Sequence, residues 1–119
     1  MGYEKRIAED WLHTYSNDDE VGGDRDPLFI METVIEANPS TSWLILLEII
    51  NLDIDGLTTG VLAFGPFASW AYHYARDWIE TIEHEARDNP FLRRVLRELP
   101  QNSIDEETWR RIELASLEP

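Results

Sequence analysis

The chain has 119 residues, 43% of them hydrophobic, with five Trp, four Tyr and four Phe, and a formal net charge of −14 at pH 7. That length predicts one domain, able to bury roughly 65% of the surface its unfolded chain exposes. The apolar content argues against disorder, and the lack of cysteine excludes disulfides, thiolate metal sites and Cys nucleophiles.

Residues 3–16 read as an amphipathic helix. Tyr3, Ile7, Trp11 and Tyr15 recur at every fourth position, with Ala8 and Leu12 beside them. The stretch 16–25 is polar, contains Gly22-Gly23 and carries Asp18, Asp19, Glu20 and Asp24, so an exposed acidic loop is expected. Asp26-Pro27 is a helix start, because Asp caps free N–H groups and Pro sits where its missing N–H costs nothing. Leu28, Met31, Val34 and Ile35 form that helix's buried side. Asn38-Pro39 repeats the signal and opens a helix to about Leu52. Its residues Trp43 to Ile50 leave almost no polar face, which places this helix at the centre of the fold.

Asp53 to Gly56 reads as a turn, followed by a short helix from about Leu57 to Phe64 that Gly65-Pro66 breaks. One helical piece is expected from Phe67 to about Tyr74 and a longer one from there to Arg87. The second lines Trp78, Ile79, Ile82 and Ala86 on one side, with Asp77, Glu80, Glu83 and Glu85 facing water. Asn89-Pro90 starts a helix that turns Phe91, Leu92, Val95, Leu96 and Leu99 inward and Arg93, Arg94 and Arg97 outward, and Pro100 ends it. Ser103 with Glu106 forms a capping box for a last helix burying Ile104, Trp109 and Ile112. The expected fold is all-α, a single compact domain over 1–119 of six or seven short helices in an irregular orthogonal bundle.

The charge is unevenly distributed. Residues 1–90 hold 18 acids and five bases, whereas residues 91–119 hold six acids and five Arg. No Lys or Arg occurs between Arg25 and Arg76. Such a field repels nucleic acid and anionic membrane and attracts cationic proteins. No secretory signal is expected, since the apolar run begins only after residue 40, and that run is too short to span a membrane. A cytoplasmic location is the expectation, and the oligomeric state is open.

No constellation of catalytic residues stands out. Ser69 follows Gly65-Pro66, but no strand precedes it, as a nucleophile elbow needs. Glu80, His84 and Asp88 lie four apart and could share a helix face with a divalent ion. A solvated face explains them as well, and no second His completes a zinc-protease helix. His13 and His73 read as surface or packed imidazoles. The Gly-rich loop leading into Lys that cradles phosphate is missing, and the chain has a single Lys. The most unusual local feature is aromatic: Phe64, Phe67, Trp70, Tyr72, Tyr74 and Trp78. These residues serve either as core or as a partly exposed recognition patch.

A Trp-bearing first helix, Asn38-Pro39 with Trp43, Gly65-Pro66-Phe67, Ala86, Asn89-Pro90-Phe91, Leu96 and Trp109 follow one another along nearly the whole chain. In this order the sequence resembles a bacterial domain-of-unknown-function family with a Gly-Pro-Leu-Glu turn. It departs at Ala68, where that pattern has Glu, so no role of that acid carries over. The resemblance implies a helical fold and a bacterial source, and no activity.

The function expected is therefore that of a small acidic protein-binding domain and not of an enzyme. Its specific form would be an immunity protein neutralising a cationic bacterial toxin such as a nuclease, with no cofactor. The expected contact residues are Asp18, Asp19, Glu20 and Asp24 in the loop and Glu80, Glu83 and Glu85 on the later helix. The alternative is a scaffold or adaptor subunit that binds through Trp70 and Tyr74 of the aromatic patch. A third reading is a metal-dependent enzyme using Glu80, His84 and Asp88.

Overall fold

A computed structural model of the chain describes residues 2–16 and 33–117, with side chains over 4–13 and 33–117. The described residues are helical throughout, with turns between: α1 (Gly2–Ser16), α2 (33–37), α3 (Pro39–Leu52), α4 (Thr59–Phe64), α5 (Pro66–Asp88), α6 (Pro90–Glu98) and α7 (Glu106–Ala115). No strand occurs among them. The expected acidic loop and the helix start at Asp26-Pro27 lie outside the described residues.

The Asx-Pro signals act as expected where they are described. Asn38 caps α3, its Oδ1 accepting from the Thr41 amide at 3.0 Å. Asn89 does more: Oδ1 accepts from the Phe91 and Leu92 amides, both at 3.1 Å, which caps α6. Its Nδ2 donates to Asn51 Oδ1 and Glu85 Oε2, both at 3.0 Å, so one side chain joins the ends of α3 and α5 to the start of α6.

The core runs through α3, which packs against α1, α5 and α6. Trp11 and Ala8 of α1, Ile45, Leu46 and Ile49 of α3, and Phe67, Trp70 and Ile82 of α5 are fully buried. The central helix is less enclosed than its apolar sequence predicts, because Leu44 is 50% and Leu52 39% exposed.

Three local expectations are corrected. First, 67–74 and the following stretch form one helix of 23 residues, about 35 Å long. Nothing between Pro66 and Asn89 is Gly or Pro, so no residue interrupts the hydrogen-bond ladder. Second, the cap of α7 is Asp105 and not Ser103. Asp105 Oδ2 accepts from both the amide and the hydroxyl of Thr108 at 3.0 Å. Asn102 takes a left-handed φ of 50° just upstream, and Ile104 is buried immediately before the cap. Third, Arg93 points inward at 9% exposure, and Arg94 is half-buried.

The break between α4 and α5 is steric. A Cβ on Gly65 would stand 2.8 Å from the Val61 carbonyl oxygen, so only glycine lets Pro66 start a new helix this close to the end of α4.

Candidate functional site

The aromatic cluster is mostly core. Trp70 is fully buried, its ring 4.9 Å from that of Trp43, 6.0 Å from Phe67 and 5.7 Å from Trp78. Its Nε1 donates to the Pro39 carbonyl at 3.2 Å. Tyr74 is half-buried, and its hydroxyl donates to the Ile35 carbonyl at 2.5 Å, with Glu36 O at 3.3 Å. Both side chains thus fasten α5 to the junction of α2 and α3. Trp70, one of the two residues expected to make a contact patch, is therefore core, whereas Tyr74 stays half-buried with its hydroxyl engaged inside the chain. Of that group only Phe64 (66%) and Tyr72 (56%) are exposed large side chains.

The acidic candidates divide. Asp18, Asp19, Glu20 and Asp24 lie outside the described residues. On α5, Glu80 is exposed, but two of its neighbours are committed internally. Glu83 holds Arg111 of α7 through both oxygens, at 2.6 and 2.9 Å. Glu85 accepts from Asn89. Only Glu80 of the three is exposed without such a bond described.

The hydrogen bonds from Arg111 hold the Glu83 carboxyl below the usual glutamate range, against the opposing effect of partial burial, and the charges of Arg111 and Arg87 add to it. A lowered folded-state pKa means the folded chain binds this proton less readily than the unfolded one. The stability from this pair is therefore complete above the ordinary carboxylate range and fades as pH falls through the folded value. Glu83→Gln is expected to lower the urea midpoint modestly at about pH 7, and the gap to the parent should close towards about pH 3. Urea melts at a series of pH values check this.

His84 and Asp88 are exposed on α5, and no group of three or more metal-ligating side chains occurs among the described residues. No helix among the described residues is long and apolar enough to cross a membrane.

The surface that sequence reasoning missed lies at the turn between α3 and α4. Asp53 organises it: Oδ1 accepts from the Leu57 amide at 3.0 Å, and Oδ2 from the Thr58 amide at 2.8 Å and hydroxyl at 2.6 Å. Gly56 takes φ +72°, a conformation open to glycine at little cost. Arg94 closes the turn from α6, donating to the Asp53 and Ile54 carbonyls at 2.8 and 3.2 Å. α4 begins at Thr59 and not at Leu57, since Leu57 and Thr58 belong to the turn that Asp53 organises.

This fixed turn holds Ile54 (65% exposed) and Leu57 (75%) in solvent. With Leu12 of α1 and Leu52 of α3 they line a shallow groove of about 500 Å³. Glu9, His13, Asp53 and Asp55 also line it. Val61 (47%) and Phe64, three residues apart on α4, are also exposed. The available signal was Ile54 and Leu57, two large apolar residues inside a segment otherwise composed as a turn.

A family profile matches residues 19–118 of this chain. The chain belongs to DUF6869, a family of unknown function. The DUF6869 match takes in Leu52 to Phe64 but not α1, so the groove joins residues inside the family region to Glu9 and Leu12 outside it. The comparisons found no matching curated protein and no matching solved structure.

Proposed function

We propose that this chain is a cytoplasmic, acidic protein-binding domain that works by docking a cationic protein and not by catalysis. The specific form we favour is an immunity protein of a bacterium, covering the basic active site of a toxin such as a nuclease. The observation that carries the reading is the charge. The chain has a net of −14, and the 50 residues between Arg25 and Arg76 contain no Lys or Arg. A field of that sign speeds encounter with cationic proteins and repels nucleic acid and anionic lipid. An exposed apolar groove built partly from that segment offers what charge alone lacks, a surface that gains from losing water.

Capture of the tagged full chain from its native host, followed by mass spectrometry, tests the reading. The expected result is a strongly basic protein that is retained at low salt and released by about 0.5 M NaCl. Recovery of only neutral or acidic proteins, or retention indifferent to salt, would overturn it.

A further inference from the structure

We infer that the groove at the α3–α4 turn receives an amphipathic helix of the cationic partner, with its apolar face on Ile54 and Leu57 and its Lys or Arg side chains against Glu9 and Asp55. The inference rests on the cationic-partner reading above and adds the place and the mode of contact.

Three observations support it. Ile54 and Leu57 are among the most exposed large apolar side chains described, yet they sit on a turn held by three bonds to Asp53 and two from Arg94. Apolar side chains on a surface already ordered lose little further freedom when a partner covers them. The groove also has walls from α1 and from the end of α3, an open channel of the kind a helix can lie across.

The charge selects the occupant. The groove's lining includes Glu9, Asp53 and Asp55, and each copy of the chain carries −14, so a second copy would bring like charges together at the contact. An anionic membrane is repelled for the same reason. A helix with apolar anchors edged by Lys or Arg meets both the apolar and the acidic side chains of that lining.

The test uses the full chain with labelled Ile, Leu and Val methyl groups and two synthetic peptides of about 16 residues. Both contain only Leu and Lys in the same proportion. In the first, the Leu fall at helical spacing on one face, and in the second they are scattered. The first peptide is expected to shift the methyl signals of Leu12, Leu52, Ile54 and Leu57 and to bind about tenfold more tightly than the second. Leu57→Ser should abolish that advantage, whereas Leu57→Met should keep it. Because Leu57 is exposed, Leu57→Ser is expected to leave the remaining methyl spectrum, and so the fold, unchanged.

Shifts confined to another face, or equal affinity of the parent and Leu57→Ser for the first peptide, would overturn the inference. So would a dimer of the free protein that Leu57→Ser dissociates, or contacts in the free protein that already fill the groove from another part of the chain. If both peptides bind equally in a salt-dependent way, this inference falls and the cationic-partner reading stands. If neither binds at low salt, both fall.

Discussion

Trp70→Ala is expected to lower the unfolding free energy by about 4 kcal/mol, in the upper range for a single core truncation. Trp70 is fully buried and stacks among Trp43, Phe67, Tyr74 and Trp78. Removing the indole leaves a cavity whose walls are other large rings, which cannot collapse into it without leaving their own contacts. It also removes the donor to the Pro39 carbonyl at the first turn of α3. A loss of about 4 kcal/mol is a large share of the roughly 5–15 kcal/mol that a domain possesses. Urea unfolding followed by far-UV circular dichroism measures it. A loss under about 1 kcal/mol would mean that the α3–α5 aromatic contact does not hold the core.

Arg93→Ala is expected to cost about 2–3 kcal/mol, large for a residue that its helix pattern places outside. The last carbonyls of α5 have no amide of their own helix to meet. Arg93 meets two of them, Nη1 donating to Ala86 O at 2.7 Å and Arg87 O at 3.3 Å. The guanidinium also sets a positive charge at the negative end of a 23-residue helix. Truncation leaves a buried carbonyl without its donor and opens the joint between α5 and α6. Arg110→Ala, on the exposed side of α7, is the control and should change stability by less than about 0.5 kcal/mol. Equal effects of the two variants would show that the Arg93 contacts contribute nothing particular.

Much of this fold was legible because its punctuation is local. Asn38-Pro39 and Asn89-Pro90 mark their helices through a cap and a missing amide, both properties of neighbouring residues. The apolar run to Leu52 marks the central helix for a similar reason. What escaped depends on distant partners. Arg93 and Arg94 look like a solvated pair on α6 until the ends of α5 and α3 arrive beside them. Ser103 with Glu106 reads as a capping box, but Asp105 holds the Thr108 amide and hydroxyl instead. Asp105 serves because Ile104, ahead of it, is drawn into the core. The aromatic series on α5 reads as core or as patch, and the approach of Trp43 and Pro39 makes Trp70 core.

The site was less legible than the fold. Glu83 and Glu85 were expected to face a partner, but Arg111 and Asn89, 28 and four residues away, take them up. The groove as a whole could not be read from a linear pattern, since its walls come from α1 and from the α3–α4 turn. Ile54 and Leu57 gave the hint, because a turn that needed only polarity would not carry them.

The most direct test of the central claim is the association rate between this chain and its captured partner, measured by stopped flow from about 0.02 to 0.5 M NaCl. An acidic domain built to attract a cationic protein predicts a rate that falls about tenfold or more across that range. A rate that stays constant within about twofold would contradict it, because binding would then owe nothing to the charge that marks this chain.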